Sequence, residues 1–102
     1  MKESILRLEK GSGNKKYTAI IQTPDGNKTR KISFGAVGYQ QYKDSTGLGV
    51  WSHLDHGDSK RRKAYFSRHS AGVTNKTDAI KREVTLSGGL YNAKILSHQF
   101  LW

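Results

Sequence analysis

The chain has 102 residues and a mass of 11.4 kDa, with 18 Lys and Arg against 8 Asp and Glu, a formal net charge of +10. It has no cysteine, which excludes a disulfide framework, a cysteine-ligated zinc or iron–sulfur site and a thiol nucleophile. No apolar run is longer than three residues, as in Ala19-Ile20-Ile21, so neither a transmembrane helix nor a signal-peptide core is expected, and membrane insertion is not expected either.

Leu, Ile, Val and Phe make up 21 of the 102 residues, just above the level of about 20% below which chains tend towards disorder. The core must be thin, and the five Tyr and two Trp help to fill it. Residues 1–51 and 52–102 each carry nine basic and four acidic side chains. The charge therefore belongs to a folded surface rather than to a basic tail, and it favours a polyanionic partner, nucleic acid or an acidic protein.

In chain order, residues 4–9 (SILRLE) are expected as a strand with Leu6 and Leu8 on one face, followed by a turn over 11–14. Residues 16–23 alternate Tyr17, Ala19 and Ile21 against Thr18, Ile20 and Gln22. Pro24-Asp25-Gly26-Asn27 has the chemistry of a tight reversal. Residues 28–34 then place Ile32 and Phe34 opposite Lys31 and Ser33, which completes a three-stranded antiparallel meander.

Gly35 and Gly38 let the chain leave the sheet sharply, and residues 43–57 read as a long loop within one domain. Asp58 is the expected N-cap of a helix over 59–69, with Gly72 just past its end. Arg62, Tyr65, Phe66 and His69 share the inner face of that helix, and Lys60, Lys63, Ser67 and Ser70 the outer one. Residues 78–84 predict a short further element. Residues 92–102 are apolar over most of a helical circumference and predict the most buried helix. The fold class is α+β, a single small basic domain over residues 1–102. Its meander, with strands within 4–34, is expected to be covered by helices over about 59–69 and 92–102.

The densest basic cluster is Lys60-Arg61-Arg62-Lys63. It could grip phosphates, act as an import signal, or be solvated while Arg62 pairs with Asp58 four residues earlier. Four consecutive residues span about 300° of a helix, so they cannot all face one ligand. His53, Asp55, His56 and Asp58 are competent metal ligands, yet their spacing matches no zinc pattern. No metal or cofactor is expected; Asp58 is read as a cap and His56 as a packing or hydrogen-bonding residue. Tyr39, Tyr42, Trp51 and Tyr65 lie near basic residues, as a stacking platform would require, but the shortage of aliphatics favours core filling. Ser87-Gly88-Gly89 is too ordinary for a nucleophile elbow, so no enzymatic activity and no small-molecule substrate are expected.

Three segments form a pattern. They are Lys15-Lys16-Tyr17 through Lys31-Ile32-Ser33-Phe34-Gly35 and Gly38-Tyr39; His56-x-Asp58-x-x-Arg61-Arg62-x-x-Tyr65-x-x-Arg68-His69; and Ala93-x-x-Leu96-Ser97 with Leu101-Trp102. This pattern resembles a family of small, basic, uncharacterised proteins of large DNA viruses of the phycodnavirus and mimivirus kind, and it covers most of residues 15–102. The chain departs from the family in an extended loop around 44–54 and at Lys94, where the family usually has a small residue. The resemblance implies a viral setting, the virion, with host cytoplasm or nucleus during assembly, and it supplies no assigned binding or catalytic residue.

The function expected from these readings is a non-enzymatic viral structural protein, a minor capsid or cement-type component joined to larger capsid subunits or other virion proteins. The alternative is a nucleic-acid-binding protein contacting viral DNA phosphates, and a third reading is a basic adaptor or inhibitor on an acidic host protein. The residues expected to meet the acidic partner are Lys28, Arg30 and Lys31 on the hairpin, and Lys60, Arg61, Lys63 and Arg68 on the helix. Arg61, Tyr65 and Arg68 fall within about 60° of one another on the helix wheel and could line a phosphate groove.

Overall fold

The alternation of Tyr17, Ala19 and Ile21 along the second strand decides the architecture, because all three side chains are fully buried, which calls for a neighbouring strand on either side and a covering layer on that face. A computed structural model, which describes residues 1–102, supplies it. Strands β1 (Ser4–Lys10), β2 (Lys15–Gln22) and β3 (Thr29–Ala36) form an antiparallel sheet in the order β1-β2-β3. Three helices follow: α1 (Ser59–His69), α2 (Lys76–Leu86) and α3 (Ala93–Phe100). The fold is α+β, with an N-terminal meander and C-terminal helices. No helix is long and apolar enough to cross a membrane.

The sheet departs from the simple alternation at β1. A bulge between Ile5 and Arg7 shifts the register against β2. Ile5 and Leu8 therefore pack against the core while Leu6 is left 48% exposed, which corrects the expected Leu6 and Leu8 face. Pairing of β2 with β3 is regular and sets Tyr17 opposite Phe34 and Ala19 opposite Ile32. Gly35 has a φ of +79°, and a Cβ there would lie 2.9 Å from Leu101 and 3.2 Å from the Lys16 side chain. Only glycine fits where β3 turns away from the sheet.

Each helix starts on an Asp or Asn that accepts hydrogen bonds from the first turn. The acceptors are Asp58 for Lys60 and Arg61, Asn75 for Asp78, and Asn92 for Ile95. Asp58 is the cap expected from the sequence, and α3 lies within the expected 92–102 with Asn92 as its cap. The middle helix is longer than the expected 78–84, because Asn75 caps it and the chain stays helical to Leu86.

The helices do not cover the sheet in the expected way. Of the three, α3 packs on the sheet, through β3, with Leu96 and Leu101 joining the core of Tyr17, Ala19, Ile21 and Phe34. Helix α1 turns its Tyr65 and Phe66 towards Ala79 of α2, forming a second small core. The expectation that α1 lies over the sheet is corrected: its inner face finds its partners in Ala79 of α2, His98 of α3 and Trp102 instead. Phe66 packs edge-on to His98 of α3, and Tyr65 stacks on Trp102 at 4.2 Å between ring centroids. Trp102 touches both cores.

The loop over 43–57 is tied down at many points. Backbone N–H groups of Tyr42 and Lys43 donate to the Leu101 carbonyl, and that of Ser45 donates to Phe100, so the loop satisfies the free carbonyls at the end of α3. Tyr17 donates its hydroxyl proton to Asp44, and the Trp51 indole N–H donates to the Lys16 carbonyl at 3.1 Å. A one-turn 3-10 helix at Ser52–Leu54 and a bridge between Gln41 and Asp55 complete it.

Candidate functional site

The main concavity of the molecule is a cleft of about 520 Å³ between the open end of the sheet and the faces of α1 and α3. Its lining brings together Lys15 and Lys16 from the start of β2, Arg61, Arg68 and His69 from α1, and Lys94 from α3. No Asp or Glu side chain lines it. The apolar part of the wall is mostly aromatic, with Phe34, Tyr39, Tyr65 and Trp102 beside Ala36, Ala93 and Leu101.

The helical period explains the part of this lining that α1 supplies. Arg61, Tyr65 and Arg68 recur on one strip of α1, and the strip faces the cleft with Tyr65 as floor and the two guanidinium groups above it. Arg61 donates through Nη1 to Gln40 at 2.9 Å, which sets it beside Tyr39. Lys16 is different from the other cations. It is only 2% exposed, and its ammonium donates to the Tyr39 carbonyl at 2.6 Å and to the Gln41 side chain. Burial lowers its pKa, opposed by the nearby Asp44 and Asp55 carboxylates. It is a strut under Tyr39 more than a contact for a ligand. Lys94 lies 3.7 Å from Glu83 and shares its charge between that carboxylate and the cleft. His69 has a lowered pKa, from burial first and then from Arg68 and Lys94, so it is neutral at pH 7.

Of the seven residues expected to meet an acidic partner, Arg61 and Arg68 line the cleft and the other five lie elsewhere. Lys28 and Lys31 are exposed at the hairpin turn and along β3. Arg30 is already engaged within the chain. It holds Glu3 through two bonds of 2.7 Å and the Tyr91 carbonyl through a third, closing the chain's N-terminal segment onto the start of α3. Lys60 is solvent-exposed, and Lys63 faces a separate polar hollow with Ser59, Arg62 and the first residues of α2. Arg62 does not pair with Asp58, whose carboxylate is occupied by backbone N–H groups. Its guanidinium instead lies 4.5 Å above the Tyr42 ring.

The histidine-rich segment folds as packing. His56 accepts from the Asp58 N–H at 2.9 Å and sits between the rings of Tyr42 and Trp102. No group of three or more ligating side chains gathers in a metal-binding arrangement. Of the four aromatics considered as a stacking platform, Trp51 and Tyr65 join the two cores and Tyr42 supports Arg62. Tyr39 alone stands out, 73% exposed.

Behind the cleft floor runs a buried polar chain. Tyr65 is 2.8 Å from His98 Nδ1, His98 Nε2 is 2.8 Å from Ser70, and Ser70 donates to Glu83 at 3.1 Å. The donor order follows from the carboxylate, which only accepts. Ser70 gives its single proton to Glu83, so it accepts from His98 Nε2–H, and Nδ1 accepts the Tyr65 proton. The serine thus receives a hydrogen bond from the histidine rather than donating to it, the reverse of a nucleophile–base pair. The chain joins three helices and holds Tyr65 in place.

Lys15, Tyr39, His69 and Lys94 were not among the expected site residues. Position 39 could have been found as an aromatic beside a basic pair of helical residues, but no local pattern joins Lys15 to Lys94, which only the closure of α3 onto β3 brings to one wall. No family model, curated protein or solved structure matches the chain, so the viral resemblance rests on the residues quoted for it alone.

Proposed function

We propose that the protein is a non-enzymatic nucleic-acid-binding component of a virion, with the cleft as the site that holds the phosphate backbone. The observation that carries this reading is the lining of the cleft: five cationic side chains and no carboxylate, around an aromatic floor. A nucleic acid carries condensed cations along its phosphates, and their release when these side chains neutralise the phosphates drives association. Three of the cations, Lys15, Arg61 and Arg68, are at the surface, and Lys94 is partly so.

With three to four phosphates neutralised on a single strand, the log–log dependence of affinity on salt has an expected slope of roughly −2 to −3. Replacing Arg61 and Arg68 together by alanine brings it up by roughly 1.4, while replacing Lys28 and Lys31 leaves it nearly unchanged. The check is fluorescence anisotropy of a labelled oligonucleotide between 50 and 300 mM salt, taken as about the range over which such contacts respond. A flat slope, or equal effects of the two double variants, removes the cleft from the argument.

The minor capsid or cement reading is favoured by a different observation. Met1, Leu86 and Leu90 are 50%, 66% and 41% exposed, and the Lys2 N–H bonded to the Gly89 carbonyl holds them near one another. Such apolar groups suit contact with a larger subunit. That role predicts retention on the shell after nuclease treatment of opened particles, whereas a genome-bound protein is released.

A further inference from the structure

The geometry points to unpaired nucleotides as the ligand of the cleft, with a base stacked on Tyr39 while Arg61 and Arg68 hold the adjacent phosphates. This deepens the proposed function and rests on it. Tyr39 is the most exposed aromatic ring of the chain, in a protein that otherwise uses its aromatics to fill a thin core. The ring is held out on a fixed backbone. Its carbonyl receives the buried Lys16 ammonium at 2.6 Å, its N–H donates to Ala36, and the next two residues are anchored through Gln40 to Arg61 and through Gln41 to Asp55. A lysine only 2% exposed beneath an exposed tyrosine stabilises the position of a ring that contributes nothing to the core.

The chemistry of the surroundings selects the ligand. A carboxylate-rich peptide would satisfy the guanidinium groups but leave the ring without a partner. A duplex offers phosphates, yet its base faces are already stacked on one another. A single strand offers both charge and an open π-face, and base stacking on an exposed ring is sequence-tolerant. The cleft, at about 520 Å³, has the volume of a small-ligand pocket and suits roughly one or two nucleotides rather than a helix. Trp102 already has Tyr65 stacked on one face at 4.2 Å, whereas Tyr39, 73% exposed, has no aromatic ring packed against it.

The test uses the full chain with four labelled probes: dT12, a twelve-unit strand of the same backbone without bases, the dT12·dA12 duplex, and poly-glutamate. The expected result is at least tenfold tighter binding of dT12 than of the abasic strand or the duplex. Tyr39→Ala should weaken dT12 by about 5- to 150-fold and leave the abasic strand unchanged, and Tyr39→Phe, which keeps the ring, should stay within about twofold of the parent. The exposure of Tyr39 makes these variants safe for folding, and circular dichroism confirms it. Equal affinity for dT12 and the abasic strand, both weakened by Arg61→Ala, overturns the stacking inference and leaves the cleft as a phosphate site. Poly-glutamate binding as tightly as dT12 and indifferent to Tyr39→Ala overturns it in favour of an acidic protein partner. Absence of binding to all four probes ends both the inference and the function beneath it.

Discussion

Ala71 shows how a single backbone angle can leave stability unused. Helix α1 ends at the cap residue Ser70, and the Gly72 N–H reaches back to the Ser67 carbonyl, a closure that forces the residue between them into the left-handed region. That residue is Ala71, with φ of +50°, the one non-glycine in the chain with positive φ. Helix α2 closes in the same way, with Gly89 bonded to Val84, but there the left-handed position is Gly88. The Cβ of Ala71 costs on the order of 1 kcal/mol in this conformation. Part of that is offset by the greater freedom of glycine in the unfolded chain. Ala71→Gly is therefore expected to stabilise the protein by about 0.5 kcal/mol, raising Tm by roughly 2–4 °C in a scanning calorimeter. A lowered Tm would mean that the alanine is not strained there. Residues were unevenly legible for the same reason. Asp58 acts on its own first turn and could be read from sequence, whereas the partner that occupies Arg30 is Glu3, 27 positions away, and nothing local to Arg30 announces it.

At the scale of elements, the helices were legible where period and cap agreed. The strip of Arg61, Tyr65 and Arg68 follows from 3.6 residues per turn alone, and the structure places it on the cleft wall. What a period cannot tell is which surface the inner face of α1 meets. His98 of α3 settles that by standing between Tyr65 and Phe66 of α1 and Ser70 at its end, fully buried. Burial pushes the His98 pKa down to about 4 from an ordinary value of 6.5, the pull of Glu83 only partly opposing it. The folded state therefore refuses a proton that the unfolded chain accepts, so stability is full above pH 6.5 and falls as pH drops towards 4. The total loss across that window is about 3 kcal/mol. His56 and His69, also lowered by burial, add in the same direction. The carboxylates of Glu3 and Glu83 have lowered pKa values, and their contributions fade only below about pH 4.5. Urea midpoints measured between pH 7 and 5 should thus fall steadily in the parent. In His98→Asn, less stable at pH 7, they should fall much less. Parallel slopes for the two proteins would place the titrating group elsewhere.

For the whole molecule, the cleft lies on the seam between two small cores, and that position explains why its charge could be seen in the sequence but its location could not. The sheet core supplies Lys15 and Phe34, the helical core supplies Arg61, Tyr65 and Arg68, and α3 with Trp102 joins them. Neither core is large: one holds six buried apolar residues and the other three. Their mutual support is therefore a large part of the stability of each. Trp102 is the side chain that touches both, with one face on Tyr65 and an edge near His56 in the long loop. Removing a half-buried indole costs about 2–3 kcal/mol by the range for large aromatic truncations, and here the loss falls on the junction. In the parent chain, Trp fluorescence, which senses Trp51 beside the sheet and Trp102 at the junction, and far-UV circular dichroism, dominated by the helices, should report one coincident urea transition. In Trp102→Ala the helical signal should be lost at lower urea than the signal from Trp51, and Trp102→Phe should bring the two curves back together. Coincident curves in Trp102→Ala with a loss under about 1 kcal/mol would instead mean that α3 alone welds the cores. The cleft would then owe its shape to the Leu96 and Leu101 contacts with the sheet rather than to the terminal ring.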